Sequence, residues 1–151
     1  MNRFFLLSLL IVFFTIGCND TEEGINAETQ VNAFIIDMNP ELYQTMSKIK
    51  AEIALADKKI PQLYELKGLY PNQRDMIDES LEQWQGLRKS LNFTLNNIYA
   101  KVERAYVAYK IDEIQGKRKF SVISQSLLKE ANAVLETAEI TKSTIERTLY
   151  E

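Results

Sequence analysis

Residues 39–63 read NPELYQTMSKIKAEIALADKKIPQL. Asn39 ahead of Pro40 and Glu41 is a helix start: an asparagine cap, a proline in the first turn where its missing N–H costs nothing, and an acid facing the positive helix end. The apolar positions that follow are Leu42, Met46, Ile49, Ile53, Ala56, Ile60 and Leu63. They alternate by four and three residues, the seam of a helix packed along a neighbouring helix. Pro61 predicts a kink or short break, because it disfavours helical geometry at Ile60. Helix resumes to about residue 67, Gly68 supplies the stop, and Tyr70-Pro71-Asn72 restarts the chain in the opposite direction.

A second helix over about 72–115 continues the pattern through Ile77, Leu81, Trp84, Arg88, Leu91, Leu95, Ile98, Val102, Ala105 and Tyr109. At about 1.5 Å per residue it spans roughly 66 Å, which makes the molecule a rod. Arg88 is the polar exception, and a charge in a seam needs an acid; the fold-back registers place Glu52 and Glu146 opposite it. Gly116 and the run Lys117-Arg118-Lys119 read as the next turn. A third helix over about 120–149 carries a broader stripe, including Leu127, Leu128, Ala131, Val134, Leu135, Ala138, Ile145 and Leu149, and covers the groove between the first two. Gly86 marks a close helix contact or a bend. No β-hairpin signal occurs. The expected fold of residues 40–151 is an all-α, elongated antiparallel three-helix bundle, coiled-coil-like in its seam.

Composition narrows the function. The 151 residues are 46% hydrophobic and 26% charged, as in folded proteins, and the net charge of −3 gives no footprint for nucleic acid. Histidine is absent. Serine and cysteine nucleophile systems that use an imidazole base, and zinc or di-iron sites with histidine ligands, are thereby removed. Ser126 and Lys129 match an S-x-x-K pattern, but no S-D-N or K-T-G accompanies them, so the match is a chance one on a helix. The acid pairs Asp112/Glu113 and Glu79/Glu82 read as solvated helix faces. Trp84, Tyr99, Tyr106 and Tyr109 form an aromatic strip, read as core with hydroxyls reaching its edge. The expectation is no enzyme, no catalytic residue, no cofactor and no metal.

The N-terminus supplies an address. Arg3 precedes a 13-residue apolar run over 4–16, shorter than a membrane span, which ends at Gly17, the sole cysteine Cys18, and the polar Asn19 and Asp20. Thr15-Ile16-Gly17-Cys18 resembles the lipobox of bacterial lipoproteins, with threonine where that family prefers an aliphatic residue. The resemblance implies cleavage before Cys18 and acylation of the cysteine, the lipid attachment residue. It also implies a cell-envelope location, with Asn19 rather than aspartate after the cysteine pointing to the outer rather than the inner membrane. An exported domain without a second cysteine has no internal disulfide, which agrees with such a use of Cys18. The division is then a signal peptide over 1–17, a polar, lipid-anchored tether over 18–39 with a turn of structure near Phe34-Ile35-Ile36, and the bundle over 40–151.

Two surfaces follow from that layout. If the tether enters at Pro40, the turn over 64–71 is membrane-distal, and Tyr64, Leu66, Leu69 and Tyr70 there are more apolar than a solvent turn requires; they are the expected partner-binding tip. Lys117, Arg118 and Lys119 return to the anchored end as a membrane-proximal basic turn facing anionic headgroups. The functional expectation is a non-enzymatic envelope lipoprotein that presents its bundle to another envelope protein, bound to the bilayer through Cys18. An immunity or exclusion lipoprotein blocking a toxin, phage receptor or conjugation component is the alternative, and an unfamiliar enzyme or small-ligand carrier the third.

Overall fold

The structure, a computed structural model, describes the backbone of residues 20–150 and the side chains of residues 27–148. The segment read as a signal peptide and Cys18 lie outside the described residues. Within them the chain is almost wholly helical and no strand occurs: α1 (Asp20–Met38), α2 (Pro40–Leu69), a 3-10 turn (Pro71–Gln73), α3 (Arg74–Ile111) and α4 (Glu113–Tyr150). Four helices pack together, where three were expected.

The additional helix is the segment read as a tether. Val31, Phe34, Ile35 and Met38 fall at i, i+3, i+4 and i+7, one face of a helix. The first three are buried in the core, and Met38 packs against it. The Phe34 ring lies 5.5 Å from Tyr106, 5.0 Å from Tyr109 and 5.1 Å from Phe120. Polar groups bind the outer turns: Lys50 donates to Glu28 at 3.0 Å, Tyr99 donates its hydroxyl hydrogen to Asn32 at 2.8 Å, and Tyr106 donates to Gln30 at 2.7 Å. Asn39 alone links α1 to α2, capping α2 by accepting from the Leu42 N–H at 3.0 Å as the sequence predicts. From that link α1, 19 residues and about 28 Å long, runs back beside α2, with Glu28 paired to Lys50. The chain therefore enters along the flank of the bundle and not at the Pro40 end.

Cross-helix pairs set the directions of the long helices. Asp57–Arg88 and Lys67–Asp78 join α2 to α3 with numbers rising on one helix as they fall on the other. Glu130 accepts from Asn97 at 2.6 Å and from Lys101 at 2.9 Å, joining α3 to α4. Helix α2 stays helical through Pro61, which is exposed. Its end is set by Tyr70, held out of helical geometry by the following proline, while Gly68 sits inside the last turn.

Two expected positions move by physical necessity. The seam of α3 uses Leu87, 4% exposed, instead of Arg88, because 84–87–91 is as regular a helical spacing as 84–88–91 and keeps the guanidinium at the surface. Arg88 accordingly pairs with Asp57, not with Glu52 or Glu146. The second correction is the α3–α4 turn, which falls at Asp112 rather than over 116–119: its carboxylate accepts from the Gln115 N–H at 3.0 Å, starting α4 there. Gly116 is already inside α4, at the closest approach of the two helices, where a methyl group would overlap the backbone of Tyr109. Gly86, by contrast, faces open space.

This difference yields a paired test. Gly86→Ala should raise stability by about 0.5–1 kcal/mol through helix propensity, whereas Gly116→Ala should lower it despite the same gain; thermal unfolding of the two variants decides. Phe34→Ala should cost about 3–5 kcal/mol, and a melting temperature unchanged in that variant would detach α1 from the folded unit.

Candidate functional site

Candidate chemistry gathers at the two ends of the bundle. At the α2–α3 end, Leu63 and Ile77 are 5% and 3% exposed and close the core between the helices. The residues beyond them are left outside. Tyr64, Leu66, Leu69 and Tyr70 are 54%, 39%, 71% and 51% exposed, so they do not cap the core. The segment that carries them is nevertheless held in place: Gln85 donates to the Tyr64 hydroxyl at 3.0 Å, the Tyr70 N–H donates to the Leu66 carbonyl at 2.9 Å, and Lys67 is bound to Asp78. A groove of about 310 Å³ between α2 and α4 reaches Leu66 from below, with Leu55, Leu63 and Trp84 in its wall.

Lys142 lines that groove too and makes the most sheltered ion pair among the described residues, with Glu52 at 2.8 Å, both side chains under a fifth exposed. Lys142 also donates to Glu139 at 2.8 Å. Burial pulls the ammonium's pKa down, but the hydrogen bonds to Glu139 and Glu52 outweigh it and leave the group above the ordinary lysine value. The second oxygen of Glu52 is shut from solvent with no partner, so the pair depends on this single lysine.

The opposite end carries the basic cluster. Lys117, Arg118 and Lys119 stand in the first turns of α4 rather than in a turn between helices. Lys117 is bound to Glu113 at 2.6 Å, and this hydrogen bond raises its pKa. Arg118 and Lys119 have no acidic partner within ion-pair distance among the described residues. Across an open groove of about 560 Å³, Arg104 on α3 faces them, with Ala105, Val122 and Ile123 supplying apolar wall. Sequence reasoning passed over the aliphatics at this end: Val107, Ile111, Ile114 and Val122 are 58%, 83%, 82% and 76% exposed. Their signal was their spacing from the cations, Arg104-Val107-Ile111 on α3 and Ile114-Arg118-Val122 on α4.

The remaining candidates separate. Trp84 is buried, and Tyr99, Tyr106 and Tyr109 pack against the core with the first two hydroxyls bound to α1, as a core strip should be. Ser126 and Lys129 are both exposed on α4. No cluster of three metal-ligating side chains occurs among the described residues, and no described helix is long and apolar enough to cross a membrane. Compared with known proteins, the chain matches no family model, no curated protein and no solved structure.

A raised lysine pKa stabilises the fold fully below the ordinary value of 10.5, and the benefit is lost as pH rises through the raised value. Lys142→Met should therefore cost about 1–3 kcal/mol at neutral pH, and the gap between variant and native protein should close above about pH 10.5 in urea titrations.

Proposed function

We propose that this chain is a non-enzymatic lipoprotein of the bacterial envelope, anchored through acylated Cys18, which offers the α2–α3 end of its bundle to another envelope protein. The observation that carries the reading is the tip itself: four large side chains left outside a core already closed by Leu63 and Ile77, on backbone fixed by hydrogen bonds. Exposed aromatic and aliphatic anchors on a fixed backbone spare the chain part of the ordering cost of binding, and aromatic anchors are typical of interface hot spots. The finer architecture in this proposal is an antiparallel three-helix rod of α2, α3 and α4, braced by α1. Support for the anchor comes from the lipobox-like Thr15-Ile16-Gly17-Cys18 after its apolar run. The absence of histidine supports a role without catalysis.

The fold-back of α1 changes one part of the expectation. With the chain entering at the flank, the tip owes its role to its exposed side chains and not to being the end farthest from the lipid. Two measurements test the reading. A fatty-acid analogue should label the native chain in cells and not Cys18→Ser, which should accumulate as precursor; label retained on the serine variant ends the lipoprotein assignment. The double variant Leu69→Ser, Tyr70→Ser should lose crosslinks to its partner in native cells while its unfolding temperature stays within a few degrees of the native value.

A further inference from the structure

The α3–α4 end projects past the link between α1 and α2. Phe34 packs on Phe120, and Met38 to Glu41 border a shared groove with Phe120 and Ser121. The turn at Asp112 lies eight residues earlier along α4, so the two helices extend beyond that link by about 12 Å. Ile111 and Ile114 flank the turn and are the most exposed large apolar side chains described. Behind them Arg104 and Arg118 face each other across the open groove, with Val122 and Lys119 in its wall. Residues 101–122 hold six cations against three acids, in a chain whose net charge is −3; Lys101 is bound to Glu130 and Lys117 to Glu113, which leaves Arg104, Lys110, Arg118 and Lys119 without an acid in ion-pair reach among the described residues. Two of those acids are engaged locally: Asp112 caps α4 and Glu113 binds Lys117.

We propose that this end docks into the surface of a bilayer containing anionic lipid, with Ile111 and Ile114 entering the interface and Arg104, Arg118 and Lys119 meeting headgroup phosphates. The arrangement matches that occupant better than a protein groove. Its apolar groups lie at the extremity of a projecting hairpin, and its cations stand one turn behind on α4 and two turns behind on α3, on long stems, the order in which acyl chains and phosphates are met on approaching a membrane. An export-type apolar segment delivers the same chain to a membrane. The surface does not involve Cys18, so it stands or falls separately from lipidation.

The test uses the full chain with Cys18→Ser, which frees the protein of its only thiol and of any acyl group, and with Ile114→Cys carrying an environment-sensitive fluorophore. Residues 4–16 are an apolar run that can hold the chain on vesicles of any composition, so the readout is taken locally at the labelled position. On phosphatidylcholine vesicles containing about one third phosphatidylglycerol, the probe should shift to the blue and be quenched by brominated acyl chains. On phosphatidylcholine alone it should stay water-exposed. The same label at Tyr70→Cys should stay wet on both. Adding Arg104→Glu, Arg118→Glu and Lys119→Glu should abolish the shift on anionic vesicles while circular dichroism reports an unchanged fold. A probe at 114 that remains wet on anionic vesicles, or that is buried equally without phosphatidylglycerol or with the three charges reversed, overturns the proposal. Protection of that probe by an acidic amphipathic peptide but not by lipid would assign the surface to a protein instead.

Discussion

Helix α3 is the wall that every other helix shares. Its buried stripe, Ile77, Leu81, Trp84, Leu87, Leu91, Leu95, Ile98, Val102 and Ala105, gives α2 and α4 their seams, and its tyrosines give α1 its hydrogen-bonding edge. Such a helix has little conformational choice, since rotating it by one residue would carry Arg88 inward and Leu87 out. Three polar residues in the buried stripes, Thr45, Ser80 and Ser124, answer to their own backbones. Ser80 donates to the Met76 carbonyl at 3.0 Å, and Thr45 to that of Glu41 at 2.9 Å. No cross-helix polar partner is needed for them, which leaves the register to side-chain shape and to the rim of ion pairs.

The close approach at Gly116 governs one end of this arrangement. Because α4 has no side chain there, Tyr109 backbone and α4 backbone can meet, and the hairpin can reverse through the single residue Asp112. The same economy of linkers appears at Asn39. The links at Asn39 and Asp112 leave nothing between their helices to function as a loop, and both candidate surfaces stand at helix ends and the turns that join them.

Much of this was legible from residues alone. The 4-3 spacing from Leu42 to Leu63 and from Ile77 to Ala105 specified long helices running against each other, and Asn39-Pro40-Glu41 specified where α2 begins. What was lost was lost for identifiable reasons. Val31, Phe34, Ile35 and Met38 make a complete helical face, but it is short and sits in polar sequence, and only the surfaces of Tyr106, Tyr109 and Phe120 give it something to cover. Gly116 was read as punctuation because glycine most often breaks helices, while here it permits backbone contact. The tip residues Tyr64 to Tyr70 could be picked out by composition. The aliphatics around Asp112 could not, since they lie on two helices and become one surface only after the chain turns.

The path of α1 has a mechanical meaning. It doubles back from Asn39, so a sideways load on its first residue is borne by the contacts nearest that end before it reaches any other. Among the described contacts Glu28–Lys50 would part first, then the bonds from Tyr106 and Tyr99, and after them the aromatic cluster of Phe34. Contacts broken one after another resist far less force than contacts sheared together. Nineteen residues paid out from a helix of about 28 Å reach roughly 65 Å when extended. Helix α1 is thus fastened like a strap, by contacts that a pull on its first residue meets one after another.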